Sequence, residues 1–227
     1  MNPASREASL WQAFVQQGET VPAELRDYPE WRRGRIAYAV WALMLDVQAH
    51  PSVMARYQAL QTVLAQPGWL LPGYVRQPHI TVHVCGFAVE TSRYDDDFTL
   101  AHYQQQLAAL QQAQPRAFTL EIGGFGSFAS APYVQVRDPE GGLDALRAAL
   151  SLGSDEWRDT PYHPHLTLGL YGQSIATSDI AGQMHSCRTM PPLALPVRQL
   201  ELLHYDSRAI GGALQVVETF PLGPVQP

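Results

Sequence analysis

The sequence predicts an α+β protein with two similar lobes. Segments with helical spacing alternate with segments typical of strands, and several strands are joined by short turns, which indicates mixed or antiparallel sheets. A short polar pattern occurs twice, 86 residues apart (79 and 165, 81 and 167), and two copies indicate two related halves rather than a solenoid. We expect residues 1–35 to form an N-terminal helical extension and connector, and residues 36–227 to form a single two-lobed domain.

The N-terminal third predicts a helix, a connector, a strand and a second helix. Residues 5–17 carry apolar side chains at positions 10, 11, 14 and 15, which favours a short amphipathic helix. Residues 21–35 contain two prolines and are expected to be a turn-rich connector. The apolar run at 36–46 predicts a buried strand, and residues 51–65 have helical spacing behind a proline in the first turn.

The middle of the chain predicts two strands around a turn, preceded by a strand and a helix. A strand is expected at 78–87, and a helix at 95–113. Four residues form the expected apolar face of that helix: Leu100, Tyr103, Leu107 and Leu110. Strands at 118–122 and 132–137 are expected to be joined by a turn at the glycine-rich residues 123–126.

The C-terminal part predicts two helices, a polar strand and a hairpin. Residues 143–150 and 178–185 have the spacing of short helices, and a strand containing the second copy of the repeated pattern lies between them. Residues 197–205 and 213–220 read as two strands of a hairpin.

Composition excludes several classes of function. Of the 227 residues, 46% are hydrophobic and 16% charged, so the chain is expected to fold. The net charge of −6 argues against an extended nucleic-acid surface. All fifteen basic residues are arginine, which excludes Schiff-base chemistry on lysine, a lysyl-nucleotide intermediate and a P-loop lysine.

The cysteine count and the apolar runs indicate where in the cell the protein is expected. Its two cysteines do not form a CxxC pair or a cysteine-rich framework, so neither a structural zinc site nor a disulfide scaffold is indicated. The N-terminal residues lack a signal-peptide pattern, and no apolar run has the length of a membrane span. We expect a monomer in the cytoplasm that does not contact a membrane.

The most informative stretch is YHPHLTLGL, which is echoed earlier by QPHITVHV. Both contain Pro-His-apolar-Thr-apolar, with His79 and Thr81 in the first copy and His165 and Thr167 in the second. Alternate side chains of a strand share a face, so each histidine lies beside its threonine while the apolar residues point to the core. We therefore expect the two strands to meet and the two His-Thr pairs to face one cleft.

Two imidazoles at one cleft suit acid–base chemistry near neutral pH. Because the reference pKa of histidine is about 6.5, one ring can be neutral and accept a proton while the other is protonated and donates one. The threonine hydroxyls can donate hydrogen bonds to non-bridging phosphate oxygens and stabilise charge in the transition state. This chemistry needs no metal or nucleotide cofactor.

The two motifs His79-Ile80-Thr81 and His165-Leu166-Thr167 resemble the signature of the 2H phosphoesterase superfamily, in particular the bacterial 2′-5′ RNA ligase or RNA 2′,3′-cyclic phosphodiesterase branch. The resemblance extends from about residue 35 to residue 220. It implies two pseudo-symmetric lobes that flank a central cleft, each a mostly antiparallel sheet with helices on its outer face.

The same resemblance implies the roles of the motif residues and the substrate. His79 and His165 would be the acid and the base, and Thr81 and Thr167 would bind the phosphate. The implied reaction is hydrolysis of 2′,3′-cyclic phosphate ends of RNA or of small cyclic nucleotides. Its reversal would give 2′-5′ joining without ATP, which agrees with the absence of lysine.

Five further residues are candidates for substrate binding. Many relatives carry a basic residue two positions after the threonine, where this chain has His83 and Gly169; His83 either supplies the missing charge or is a rim residue. His163 is in register with His165, and the alternative is an exposed residue just before the strand. Tyr74 and Tyr162 either stack a base or only pack, and Arg76 is the nearest cation for the phosphate.

Three alternative functions remain open from the sequence. His79, His83, His163 and His165 would form a metal site if they faced one cavity, although the motifs contribute no carboxylate. The chain would also suit a non-catalytic binder of RNA ends. A 2H enzyme acting on another cyclic or 2′-5′ linked nucleotide would carry the same motifs.

Overall fold

The computed structural model describes residues 3–24, 29–157 and 160–224, without the side chains of residues 3–5 and 29. Part of the predicted connector, residues 25–28, lies outside this range. The α-helices are α1 (Pro3–Gln17), α2 (Pro29–Arg32), α3 (Pro51–Leu64), α4 (Leu100–Ala113), α5 (Gly142–Gly153) and α6 (Thr177–Gln183). The strands are β1 (Ala37–Met44), β2 (His79–Ala88), β3 (Asp97–Phe98), β4 (Phe118–Ser127), β5 (Pro132–Arg137), β6 (His165–Thr167), β7 (Leu193–Val197), β8 (Gln199–Asp206) and β9 (Leu214–Pro221).

The strands form two sheets, one in each lobe. The first has the order β3-β2-β1-β8-β9 and the second the order β6-β5-β4-β7. Every pairing is antiparallel except the short one between β2 and β3. The chain crosses between the lobes more than once, because β1 and β2 share a sheet with the late strands β8 and β9. The predicted fold class, α+β with two lobes of mostly antiparallel sheet, is confirmed.

The helices join the sheets through buried polar contacts as well as apolar packing. On the first sheet, the Trp41 indole donates to Gln106 of α4 at 2.7 Å, and Arg147 of α5 donates to the carbonyl of Val82 at 2.6 Å. Helix α3 lies against the second sheet, where Arg56 donates to the carbonyl of Ile122 at 2.7 Å. One hydrophobic core includes residues from both sheets.

The N-terminal helix α1 packs on the second lobe. The Trp11 ring meets Phe125 of β4 edge-on, with centroids 6.0 Å apart. At its C-terminal end, the Thr177 hydroxyl of α6 donates to the carbonyl of Val15 at 3.0 Å, and the Thr177 amide donates to Gly18 at 2.9 Å. The helix predicted at 5–17 is confirmed, and these contacts fix its position beside β4 and α6.

Helix α4 begins later than the sequence predicts. Residues 97–98 form β3, and Thr99 caps the helix, since its hydroxyl accepts from the amide of His102 and its own amide donates to the His102 ring. Leu100 is 66% exposed, so its predicted place on the apolar face is wrong. The buried positions are Gln106 and Leu110.

The glycine-rich residues 123–126 do not turn the chain. They continue β4 as far as Ser127, with an irregular register between Ile122 and Phe125. A side chain at Gly124 would collide with the carbonyls of residues 187 and 188, so a close backbone approach explains this glycine. The turn lies later, where the amide of Phe128 donates to the carbonyl of Ala131.

The last third matches the predicted hairpin and adds a strand. The helix predicted at 178–185 is α6 followed by a 3-10 helix at His185–Cys187, and β8 and β9 pair as expected. The edge strand β7 was not predicted because its five residues include a proline. Within the residues that the structure describes, no helix is both long and apolar enough to cross a membrane.

Candidate active site

The repeated motifs lie on β2 and β6, as the sequence predicts. Their apolar residues are fully buried: Ile80, Val82, Leu166 and Leu168 each have 0% exposure. The alternating His79, Thr81, His165 and Thr167 are half-buried. The expected division of each strand between a core face and a polar face is confirmed for these residues.

Contacts at two points connect the motif segments of the two lobes. At one point, the Tyr162 hydroxyl just before the second motif donates to the carbonyl of Thr81 in the first motif, at 2.9 Å. At the other, the amide of Leu71 donates to the carbonyl of Leu170 at 2.8 Å. In the first segment, His79 lies between Leu71 and Thr81, and in the second, His165 lies between Tyr162 and Leu170. The strands β2 and β6 also lie next to each other.

The two motif histidines share the same local geometry. The Nδ1 atom of His79 lies 2.8 Å from the carbonyl oxygen of Gln77, and that of His165 lies 2.7 Å from the carbonyl oxygen of His163. A carbonyl oxygen only accepts, so Nδ1 carries the proton in both rings. In the neutral form of either ring, Nε2 is therefore the basic nitrogen.

The surroundings of His79 favour its neutral form. Burial, which disfavours the charged ring, lowers the pKa of His79 to about 4. The hydrogen bond with Gln77 raises the pKa, and the positive charge of Arg76 lowers it further. At neutral pH, His79 is consequently a proton acceptor.

His165 lies in an aromatic pocket of the second lobe. The Phe128 ring meets it edge-on at 4.9 Å, and the Tyr133 ring is tilted at 63° with centroids 5.8 Å apart. The His163 ring is nearly parallel to it, at 8°, with centroids 6.4 Å apart. These three rings limit the orientations that the imidazole can adopt.

His163 is buried, with 8% exposure, so the alternative of an exposed residue before the strand is wrong. Its Nε2 lies 2.9 Å from a carboxylate oxygen of Glu7, which is also buried. The Tyr133 hydroxyl donates to the other carboxylate oxygen at 3.2 Å. Glu7 was not among the predicted site residues, although it precedes the apolar positions 10 and 11 by three and four residues, on the same side of α1.

Tyr162 is held by a cation as well as by its hydroxyl. The guanidinium of Arg147 lies 3.8 Å from the centre of the Tyr162 ring and forms an ion pair with Glu156 at 2.6 Å. The structure shows that Tyr162 packs between the lobes, and its contact with a base stays a prediction.

Tyr74 and Arg76 lie against the loop that joins β8 to β9. Arg76 donates to the carbonyl of Gly212 at 3.2 Å, and its guanidinium lies 4.1 Å from the centre of the Tyr205 ring. The Tyr74 ring packs against Gly211, which has no room for a side chain. The effect of Arg76 on the His79 pKa places its charge near the first motif.

Strict alternation along β2 would place His83 on the polar face with His79 and Thr81, but His83 is fully buried, so its interpretation as a rim residue is wrong. An irregular register in the β1–β2 pairing, where Trp41 faces His83 but Ala42 faces Thr81, breaks the alternation of side chains. The Nδ1 of His83 lies 4.0 Å from the sulfur of the buried Cys85.

The four-histidine metal site considered from the sequence therefore lacks His83. Across the described ranges, 3–24, 29–157 and 160–224, no group of three or more His, Cys, Asp or Glu side chains is placed to hold a metal ion.

The sequence model of the 2′-5′ RNA ligase superfamily matches residues 71–209, which include both motifs. This chain belongs to that superfamily. Membership supports a phosphodiesterase or ligase type of enzyme. No curated protein sequence matches this superfamily member significantly.

Solved structures similar to this 2′-5′ RNA ligase superfamily member share its fold. E. coli LigT without ligand has a TM-score of 0.57 at 16% identity, over 83% of this chain and 99% of LigT. E. coli LigT complexed with 3′-AMP has a TM-score of 0.56 at 16% identity, over 82% and 98%. The protein TT0787 of Thermus thermophilus has a TM-score of 0.51 at 18% identity, over 83% and 100%.

Proposed function

We propose that this protein hydrolyses 2′,3′-cyclic phosphate ends of RNA or nucleotides, with two histidines as general acid and base and without a metal. The repeated histidine geometry supports this most. Two rings with the same Nδ1–carbonyl contact belong to neighbouring strands of the two lobes. A pair of fixed imidazoles can supply the base and the acid of general acid–base catalysis.

In the proposed reaction, water attacks phosphorus and one bond between phosphorus and a ribose oxygen breaks. The base takes a proton from the water, and the acid gives a proton to the departing ribose oxygen. Charge that builds on the non-bridging oxygens is stabilised by the hydroxyls of Thr81 and Thr167. No electron or further group is transferred, so no cofactor is required.

We assign the base to His79 and the acid to His165. A ring with a pKa of about 4 is neutral at physiological pH, and its Nε2 is then free of a proton. A bound phosphodiester carries a negative charge, which favours the imidazolium form and raises the pKa of His79 toward the working pH. The base thus becomes stronger when substrate is present.

The residues around the first motif suit the remainder of a nucleotide. We assign phosphate binding to Arg76 and contact with the base or ribose to Tyr74, while Tyr162 and His163 support the motifs. E. coli LigT, which shares the fold, has been crystallised with 3′-AMP and with ATP, and this supports a nucleotide as the ligand.

The test is turnover of 2′,3′-cyclic nucleotides and of oligoribonucleotides with cyclic ends, in buffer containing EDTA. We expect turnover by the wild type and a loss of about 10²-fold or more in His79→Ala and His165→Ala. His185→Ala is the matched control, because His185 is exposed and lies outside both motifs. Equal turnover by wild type and motif variants, or activity that EDTA abolishes, would contradict the proposal.

The same groups would catalyse a joining reaction in which an RNA 5′-hydroxyl replaces water as the nucleophile and the 3′-oxygen leaves phosphorus. An RNA with a 2′,3′-cyclic phosphate and a second RNA with a free 5′-hydroxyl should be joined through a 2′-5′ bond without ATP. Joining by the wild type but not by His165→Ala is the expected result. Tight binding of RNA ends with no turnover in either direction would instead favour a non-catalytic binder.

A further inference from the structure

Each motif histidine donates from Nδ1 to the carbonyl of the residue two positions earlier, and the side chain of that earlier residue is itself held by a distant segment. In the first copy, Gln77 forms two hydrogen bonds with the backbone of Leu214 at the start of β9, at 2.8 and 3.1 Å. In the second copy, the corresponding residue is His163, and its partner is the carboxylate of Glu7 at 2.9 Å.

We propose that Glu7 is a positioning residue for His165: by holding the His163 side chain, it fixes the carbonyl to which His165 donates. The inference rests on the proposed function, in which His165 acts on the phosphate. It adds to that function a residue from the N-terminal helix, which precedes the part of the chain matched by the family model.

The contacts around Glu7 account for how it acts. The carboxylate is buried and holds two groups, His163 and the Tyr133 hydroxyl. Tyr133 and His163 both contact the His165 ring, at centroid distances of 5.8 and 6.4 Å. Loss of the carboxylate would leave the buried Tyr133 hydroxyl without its acceptor, remove the 2.9 Å contact with His163 and loosen two of the rings that enclose His165.

The helix can carry this residue because it is fixed to the second lobe. The guanidinium of Arg188 lies 4.0 Å from the centre of the Trp11 ring. Trp11 is on the turn of α1 that follows Glu7. Arg6 donates to the carbonyl of Pro161, two residues before His163, at 3.3 Å. These contacts hold the carboxylate against the segment that leads into β6.

The test compares Glu7→Gln, Glu7→Ala and His163→Gln with Glu19→Gln, a matched control at an exposed position of the same segment. With a 2′,3′-cyclic nucleotide as substrate, we expect kcat to fall about 10-fold in Glu7→Ala and His163→Gln, with KM within about twofold. Glu7→Gln should retain more activity, because the amide keeps the shape of the side chain and an oxygen that accepts from the Tyr133 hydroxyl. Glu7→Ala combined with His163→Gln should cost no more than the worse single variant.

One further readout separates this role from a loss of folding or of the proposed reaction. By NMR, the Nδ1–H signal of His165, which reports its hydrogen bond to the His163 carbonyl, should shift in Glu7→Ala and His163→Gln but not in Glu19→Gln. An unchanged signal together with wild-type kcat would overturn the inference. If the wild type has no turnover, the proposed function fails, and this signal alone decides whether Glu7 positions His165.

Discussion

His79 and His165 occupy equivalent positions of a repeat but have different surroundings. His79 lies close to Arg76, whereas His165 lies among aromatic rings and beside His163, which contacts the carboxylate of Glu7. The motif spacing was sufficient to predict the two residues and their shared strand face. It was not sufficient to predict their surroundings, since Glu7 lies 156 positions before His163 and no local pattern links them.

The pKa of His79 leads to a prediction about the pH dependence of turnover. His79 cannot act as a base once it is protonated. The pKa of His79, about 4, lies below the ordinary value for histidine. The ascending limb of kcat/KM, which reports the free enzyme, should therefore lie well below about pH 6.5. The ascending limb of the kcat profile should lie at a higher pH than that of kcat/KM, because a bound phosphate favours protonation of His79.

Initial rates across the pH range, with folding monitored by circular dichroism at each pH, provide the measurement. An ascending limb of kcat/KM between about pH 6 and 7 in folded protein, near the ordinary histidine value, would contradict the assignment of His79 as base.

The motif threonines give a second prediction for single residues. Thr81→Val and Thr167→Val keep the shape of the side chain but remove the hydroxyl that is proposed to donate to the phosphate. Each should lower kcat about 10²-fold, the usual effect of removing one such donor, and Thr→Ser at the same positions should retain most activity. Thr62→Val is the control, because Thr62 is exposed on α3; equal losses in all three valine variants would show that the hydroxyls have no specific role.

At the level of elements, the sequence predicted those with a regular apolar pattern and failed where backbone geometry intervened. Helices α1, α3 and α5 and strands β1, β5, β8 and β9 are close to their predicted ranges. The glycines at 123–126 suggested a turn, yet they continue β4, and Gly124 allows the backbone of residues 187 and 188 to approach that strand closely. His83 was misplaced because strict alternation cannot anticipate an irregular register in β2.

Gly86 shows how such a constraint shapes β2. Its φ of +111° lies in a region that residues with a side chain rarely adopt, and a Cβ there would collide with the carbonyl of Asp96. That carbonyl accepts from the amide of Phe87 at 2.7 Å, which joins β2 to the segment before α4. The position therefore requires glycine.

Gly86→Ala should lower the free energy of unfolding by about 2–4 kcal/mol, from strained backbone and overpacking together. Urea unfolding measures the change. Gly182→Ala is the control, because no atom lies within 4 Å of the added methyl group and α6 is helical there; its stability should be unchanged or up to about 1 kcal/mol higher. A Gly86→Ala protein as stable as this control would contradict the explanation.

For the whole molecule, function depends on how the two lobes are held together, and side chains next to the motifs do much of this. The family model matches only residues 71–209, but β1, β9 and α1, which lie outside this range, complete a sheet or support the second motif. The repeat in the sequence predicted two lobes that meet. The linking residues could not be predicted, because each link joins positions that are far apart in the chain, as Tyr162 and Thr81 are.

The hydrogen bond from Tyr162 to Thr81 is a specific test of this link. In Tyr162→Phe, the ring can remain under the Arg147 guanidinium, and only the hydroxyl is lost. We expect stability to fall by about 0.5–1.5 kcal/mol. Turnover should fall about 5- to 10-fold, because small displacements of reacting groups are costly to catalysis. Tyr103→Phe removes a comparable hydrogen bond, 3.0 Å to Glu218, which does not involve the motifs. Tyr103→Phe should lose similar stability but keep the kcat/KM of the wild type. If the two variants are equally stable and equally active, the hydroxyl of Tyr162 does not align the lobes.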